Sequence, residues 1–478
     1  MSFKEYDEYD AIGLAKLVHS KEVSPKELLE EAIERNEKVN PETNAVVHKH
    51  YDEARKSIKK GLPNGPFMGV PFLLKDLHLM LTNTKLTNGS NFFKDNIADH
   101  NSTLVERYLK AGLVIFGKTN TPEFGLTVTT EPKLYGPTRN PWNLDYSSGG
   151  SSGGAASAVA SGVVPFANAS DGGGSIRIPA SCCGLIGLKP TRARTPFGPD
   201  RGEGWAGQSI SHCVSRTVRD SAALLDATTG PAPGDPYAVP PNKDTFLSAC
   251  SSYPKNLKIA LSLPEDKIID SEVVDAINST AELCKELGHE VELASPEVDT
   301  EVLGNAVGII ISANMALTLD MRAQQLGREF KEGDVEHITY RMYENGKMAT
   351  SDQYAHATLV NHQAGRVLGN FMEDYDVILS PVLNKPPVKI GSIDMSSKDV
   401  GVYITNLLSY SGFTGLYNQT GQPSISVPLG WSNLSLPIGS MFSAKFGEDA
   451  LLLSLAAQLE NAKPWKDKKP PIYSGVKY

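Results

Sequence analysis

Apolar positions along the chain fall into helical periodicities broken by short, continuous apolar runs. Leu28, Leu29, Ala32 and Ile33 recur at helical spacing behind Ser24-Pro25-Lys26-Glu27. There Ser24 caps, Pro25 takes the first helical position and Glu27 closes a capping box. Residues 10–60 therefore read as helices, interrupted by a short strand at Asn44-Ala-Val-Val. Gly69-Val-Pro-Phe-Leu-Leu74 is an apolar strand that runs straight into Lys75. The helical stretch Ser102–Ala111 is followed by a buried strand at Leu113–Phe116. Ala155–Ala160 reads as a small-residue helix and Val163–Ala167 as a strand. Further on come a strand at Leu257–Leu261 and a helix at Ser271–Leu287, ended by Gly288. Residues 300–375 are mainly helical, with a strand at Asp376–Ser380. Another strand lies within Asn418–Gly430, centred on Ser424–Val427, and a helix spans 448–460. This alternation predicts an α/β core with parallel elements. No repeat or clear linker divides the chain. The expectation is one large domain over 1–478: a helical part (1–62), a core (63–230), a helical insertion with a second part of the sheet (231–410), and a terminal strand and helix (411–478).

Composition narrows the class. With 40% hydrophobic and 21% charged residues the chain is ordinary globular protein, which excludes disorder and coiled coil. The net charge of −9 offers no nucleic-acid footprint. Five cysteines, an odd number with Cys182 and Cys183 adjacent, argue against a secreted disulfide framework. Met1–Asp10 is polar and acidic and does not read as a targeting peptide. The longest apolar stretch, Val307–Leu319, contains Ser312, Asn314 and Thr318, and reads as too short and too polar to span a bilayer. The expectation is a cytoplasmic protein with no membrane and no nucleic-acid partner.

Several motifs carry candidate chemistry. Gly112-Leu-Val-Ile-Phe-Gly117-Lys118-Thr119 fits the P-loop spacing, but its apolar strand lies between the glycines, which commits that backbone to a sheet. Gly149-Gly-Ser151-Ser152-Gly153 overlaps a nucleophile elbow, yet Asn143–Ser148 before it reads as loop and no histidine stands in a triad context. Asp171-Gly172-Gly173-Gly174-Ser175 is sharper. Consecutive glycines let successive N–H groups point into one concavity, and Ser175 is placed to open a helix. Donors beside a hydroxyl are what a tetrahedral oxyanion needs, although a phosphate-binding or purely structural turn has the same pattern. Lys75, at the end of a buried strand, reads either as a base made neutral by burial or as an ion-pair partner of Asp76 or another acid. His48-Lys-His50 reads as a solvated surface pair. There is neither H-E-x-x-H nor C-x-x-C, so no metal or other cofactor is expected.

Lys75, Gly149–Gly154 and Asp171–Thr191 together resemble the amidase signature family. Gly117–Glu123, Tyr135–Trp142 and Asn418–Gly430 also look like family segments. The resemblance implies a single α/β/α domain with a central, mixed, twisted sheet covered by helices. It implies a Ser–cis-Ser–Lys triad: Ser175 as nucleophile, Ser151 as the bridging serine on a cis peptide, and Lys75 as base. Gly172, Gly173 and Gly174 align with the oxyanion-hole segment. Ser152, Ser170, Asp171 and Arg177 align with supporting positions, and Gly125 and Leu126 with a loop beside the acyl site. On this reading the elbow overlap is a coincidence of the Ser/Gly loop.

The implied activity is hydrolysis of a small linear or cyclic amide through an acyl-enzyme. Thr130-Glu-Pro-Lys-Leu-Tyr-Gly136 and Pro464-Trp465 look most like family members that act on nylon-type 6-aminohexanoate cyclic dimers. Aryl or fatty amides are the second choice, ahead of an amidotransferase A-type subunit or a non-catalytic carboxylate-binding protein. The tRNA-dependent amidotransferase subunit usually carries Gln where Ile178 stands. Ser170 stands where Thr is common and keeps the hydroxyl, so little effect is expected; Cys182-Cys183 replaces a single Cys, a change expected to affect packing rather than chemistry. A homodimer is an arrangement the resemblance allows.

Overall fold

The catalytic lysine candidate ends one strand of a small, separate sheet. The computed structural model describes residues 3–265 and 267–475. Strands β1 (Val46–Lys49), β2 (Pro71–Lys75) and β3 (Val114–Thr119) form this sheet in the order β1-β3-β2. β2 and β3 run parallel, with Lys75 opposite Thr119. β3 continues through Gly117-Lys118-Thr119, so the segment that a P-loop would use to cradle phosphate is sheet backbone, as its sequence implied. Strands β4 (Arg139–Asn140) and β5 (Asn143–Ser147) form a hairpin. The expected loop at 143–148 is thus mostly strand.

The large sheet has eight strands: β6 (Phe166–Asp171), β7 (Ile186–Lys189), β8 (Ile210–Ser215), β9 (Lys258–Leu261), β10 (Glu290–Leu293), β11 (Val377–Pro381), β12 (Ser424–Trp431) and β13 (Pro437–Ala444). Their order is β10-β9-β11-β13-β12-β7-β8-β6. β10, β9 and β11 are parallel, while the pairs from β11 across to β6 are antiparallel. The sheet is therefore mixed, as the resemblance implied. Side-chain alternation along each strand explains why both faces carry helices. Ile259, Val377, Leu379 and Phe442 pack on one side with Val273, Ile277, Leu452 and Leu455 of the covering helices. Ala260, Ile378 and Met441 point to the opposite side, into a second core.

Local departures from the sequence pattern have physical causes. The strand expected at Val163–Ala167 is β6, displaced toward Asp171. Its polar end, Ser170 and Asp171, is paired with Ser211 and Ile210 of β8 and carries the site, so apolar content hides it. The strand expected to begin near Asn418 begins at Ser424, because Gly415–Thr420 is a short helix ended by left-handed Gly421. The apolar stretch at 307–319 lies inside a 26-residue helix, Thr300–Gln325. Flanking residues extend it, and among the described residues it is the one helix long and apolar enough to cross a membrane by length and composition. Its Leu303, Ala306, Ile310, Met315 and Leu319 are buried, and it packs on the helices His337–Met348 and Ser351–Phe371. All five cysteines are unpaired.

Candidate active site

β2 delivers Lys75 into the interior, where its side chain is 0% exposed. The Lys75 amide donates to Asn168 Oδ1 of β6 (3.1 Å), which ties the small sheet to the edge of the large one. Its Nζ donates to Ser151 Oγ at 2.7 Å and to Ser170 Oγ at 3.1 Å. Burial drives the amine down from 10.5 to about 7, against the opposing charge of Asp171. Asp76 does not pair with it. The Asp76 carboxylate accepts from the Thr87 amide (3.0 Å) and the Thr87 hydroxyl, and lies 3.3 Å from His48 Nε2. Among the described residues Lys75 Nζ contacts hydroxyls and no carboxylate, so the ion pair with Asp76 does not form.

Ser151 lies in the loop between β5 and the helix Gly153–Ala160, and the Gly150–Ser151 peptide bond is cis. Only glycine fits before it, since a Cβ at Gly150 would lie 2.5 Å from the Thr129 carbonyl oxygen. Ser152 clips the same loop to β6: its Oγ donates to Ser170 O (3.2 Å) and accepts from the Ser170 amide (3.3 Å).

The loop after β6 is organised by Asp171, whose carboxylate is fully buried. It accepts from the Gly174 amide (2.7 Å), the Ile176 amide (3.1 Å), Arg177 Nε (3.0 Å), Arg177 Nη2 (2.9 Å) and Asn418 Nδ2 (2.9 Å). Burial alone would raise this carboxyl. The Arg177 charge, hydrogen bonds from Arg177 and Asn418, and the Lys189 charge overcome that and hold it well below the usual carboxylate range. Because Gly174 spends its amide on Asp171, the amides of Gly172, Gly173 and Ser175 are the ones in this loop without a hydrogen-bond partner among the described residues. The Gly173 carbonyl accepts from Thr414 Oγ1 at 2.6 Å, which fixes the loop from the other side. The helix begins at Arg177 rather than Ser175.

Gly172, Gly173 and Ser175 line a cavity of about 890 Å³ together with Gly125, Leu126 and Trp205. The cavity continues between apolar side chains, among them Leu303, Val307, Ile311, Met342 and Phe413. Gly125 backs onto Ser151: a Cβ there would stand 3.0 Å from Ser151 Oγ. Trp205 covers Gly172 so closely that a Cβ at Gly172 would lie 2.5 Å from its ring. The structure thus brings Lys75, Ser151 and Ser170 into direct contact and puts Ser175 on the wall of the adjoining cavity. Among the described residues Ser175 Oγ makes no hydrogen bond, and none joins it to Ser151.

Other sequence candidates resolve differently. His50 is buried and stacks on His48, which meets Tyr135 OH at 2.9 Å, so this pair is packed rather than solvated. Among the described residues no cluster of His, Cys, Asp or Glu is placed to hold a metal. Sequence reasoning missed Thr414, Trp205 and the role of Asn418, whose Nδ2 also reaches the Asp171 and Gln208 carbonyls. Asn418 stood in a quoted family segment, but nothing in its neighbourhood pointed back to Asp171.

A buried amine whose proton is held weakly, set against two hydroxyls and beside unengaged backbone amides, is an arrangement suited to a hydrolase that forms an acyl-enzyme. The chain belongs to the amidase family, whose model matches residues 27–453. It is 37% identical to the 6-aminohexanoate-cyclic-dimer hydrolase of Paenarthrobacter ureafaciens, over 97% of this chain and 96% of that one. It is 34% identical to an acylamidase of Rhodococcus erythropolis, over 96% of each chain. A solved structure of 6-aminohexanoate cyclic dimer hydrolase complexed with substrate superposes with a TM-score of 0.91 at 36% identity, over 97% of this chain and 99% of that one. A bacterial aryl acylamidase superposes with a TM-score of 0.88 at 30% identity, over 96% of each. The protein is an amide hydrolase acting on carbon–nitrogen bonds other than peptide bonds.

Proposed function

We propose that Ser175 attacks a small linear or cyclic amide and carries the acyl group. The reading rests on the 2.7 Å contact between Lys75 Nζ and Ser151 Oγ inside a closed environment. With its amine at about 7, a large fraction of Lys75 is neutral near neutral pH and holds a free lone pair. The contact then reverses, with Ser151 O–H donating to Nζ. Ser151 in turn takes the Ser175 proton as Ser175 Oγ bonds to the carbonyl carbon. The gap between the two serines closes by rotation of Ser175 or through one water, since catalytic hydrogen bonds commonly tighten only with substrate in place. The unengaged amides of Gly172, Gly173 and Ser175 stabilise the oxyanion, while Gly174 acts indirectly through Asp171. The relay returns its proton to the leaving nitrogen as the carbon–nitrogen bond breaks. Water, deprotonated along the same path, then frees the acid.

The substrate class we favour is that of the cyclic-dimer hydrolase, a compact amide with an aliphatic frame; aryl acylamides are the second choice. The long apolar cavity supports both. The five unpaired cysteines support a reducing, cytoplasmic setting. A fluorophosphonate probe tests the reading. It should label Ser175, and the label should disappear in Ser175→Ala along with amide turnover. Labelling at Ser151 would revive the elbow reading, and turnover retained in Ser175→Ala would remove the proposal. A protein that binds carboxylates without hydrolysing any amide would instead be a carboxylate-binding protein.

A further inference from the structure

The cavity has a second polar end, formed far from Ser175 in sequence. Lys267 and Lys385 both line it, on the segments that follow β9 and β11. Both are half-buried, and neither meets a carboxylate among the described residues. Lys267 Nζ sits 5.4 Å from the centre of the Phe413 ring, and Lys385 Nζ lies 3.4 Å from Ser409 Oγ. The segment that seats them is the one whose Thr414 holds the Gly173 carbonyl. A continuous wall therefore runs from the oxyanion loop through Phe413 to the two ammonium groups. Ile268, 89% exposed, and Leu408, 63% exposed, line the cavity as well, so these segments form its mouth.

We propose that this mouth selects amides whose aliphatic chain ends in a carboxylate, bound by Lys267 and Lys385 while the scissile carbonyl faces Gly172 and Gly173. This deepens the amidase reading and rests on it. The cavity wall mixes apolar side chains such as Leu303, Val307 and Ile311 with neutral polar ones such as Gln208, Ser262 and Gln419, and among its described lining residues two cations, Lys267 and Lys385, stand against one acid, Glu301. That local excess stands in a chain whose net charge is −9. Lysines that are partly buried and meet no carboxylate among the described residues can pair with an incoming carboxylate, and the protein wall beside them strengthens that attraction relative to open water. Asn384, also on the wall, has its side-chain nitrogen committed to the Leu408 and Ser409 carbonyls and so braces the segment between the two lysines.

The test uses acyl p-nitroanilides of graded chain length, each prepared with a carboxylate end and with a methyl end. The expected result is a kcat/KM ratio near tenfold in favour of the carboxylate at one chain length. The ratio should shrink in high salt, fall toward unity in Lys267→Met/Lys385→Met and invert in Lys267→Glu/Lys385→Glu. Equal rates for both endings at every length, or a preference that survives the double substitution, would overturn the proposal. If neither ending is turned over, the amidase reading fails. Calorimetric binding of the two free chains to Ser175→Ala then decides the selection separately: tighter binding of the dicarboxylate supports it, and indifference ends it.

Discussion

Lys75 Nζ and Ser151 Oγ stand 2.7 Å apart with both side chains closed to solvent, at 0% and 1% exposure. The pH dependence of turnover follows from this pair. The charged amine cannot accept a proton, so kcat/KM should rise as pH increases through about 7 and then level off. A rate that is flat from acidic to alkaline pH would show that Lys75 is not the base.

Burial of Lys75 costs stability, and that cost depends on pH. Its folded value lies below the unfolded value of about 10.4, so the folded protein gives up this proton first. Stability therefore rises with pH between about 7 and about 10.4, and below about 7 the full cost of burying an ammonium ion is present. Lys75→Met should abolish turnover yet raise the Tm by roughly several degrees at mildly acidic pH, and by less at alkaline pH. Thermal melts of the two proteins across that range measure the difference.

Arg177→Met should destabilise the fold by about 3–5 kcal/mol, because it leaves the buried Asp171 carboxylate without its cation. The Asp171 carboxyl is held below its unfolded value of about 3.9. Its contribution is thus complete above that pH and is lost as pH falls through the folded value. Urea melts at neutral pH should show the full penalty, and the gap between variant and parent should narrow in strong acid.

Gly174→Ala adds a Cβ 2.4 Å from Thr414 Oγ1, at a φ of +139° that suits glycine. The Gly173 carbonyl loses its anchor, so kcat should fall by at least about tenfold while KM changes little, with a stability loss of about 1–3 kcal/mol. Thr414→Val removes the same anchor without backbone strain. It should reproduce the kcat effect with a stability loss of about 1 kcal/mol. Steady-state kinetics on both variants separate the anchor from the strain.

Much of this site is legible in the sequence. A lysine ending an apolar strand and a glycine run between Asp171 and Ser175 are local signals, and the resemblance joined them to Ser151. The rest depends on contacts that no local pattern encodes. Thr414 and Asn418 reach Gly173 and Asp171 from across the chain, and Trp205 arrives over Gly172 from a loop in left-handed conformation (φ +53°). Periodicity misplaced β6 because its last two residues are polar and engaged: Ser170 touches Lys75, and Asp171 braces the Gly172–Ser175 loop. The His48/His50 pair looked solvated because nothing adjacent in sequence announces Tyr135 as its cover.

Lys75 ends a strand of the three-stranded sheet, whereas Ser175 lies in the loop that follows edge strand β6 of the eight-stranded one, and the Asn168 side chain joins the two sheets at this point. Enzymatic rate is thus a gauge of how these two slabs dock. On heating, loosening of the smaller slab would silence the enzyme while the larger one still kept its circular-dichroism signal, so inactivation should precede bulk melting.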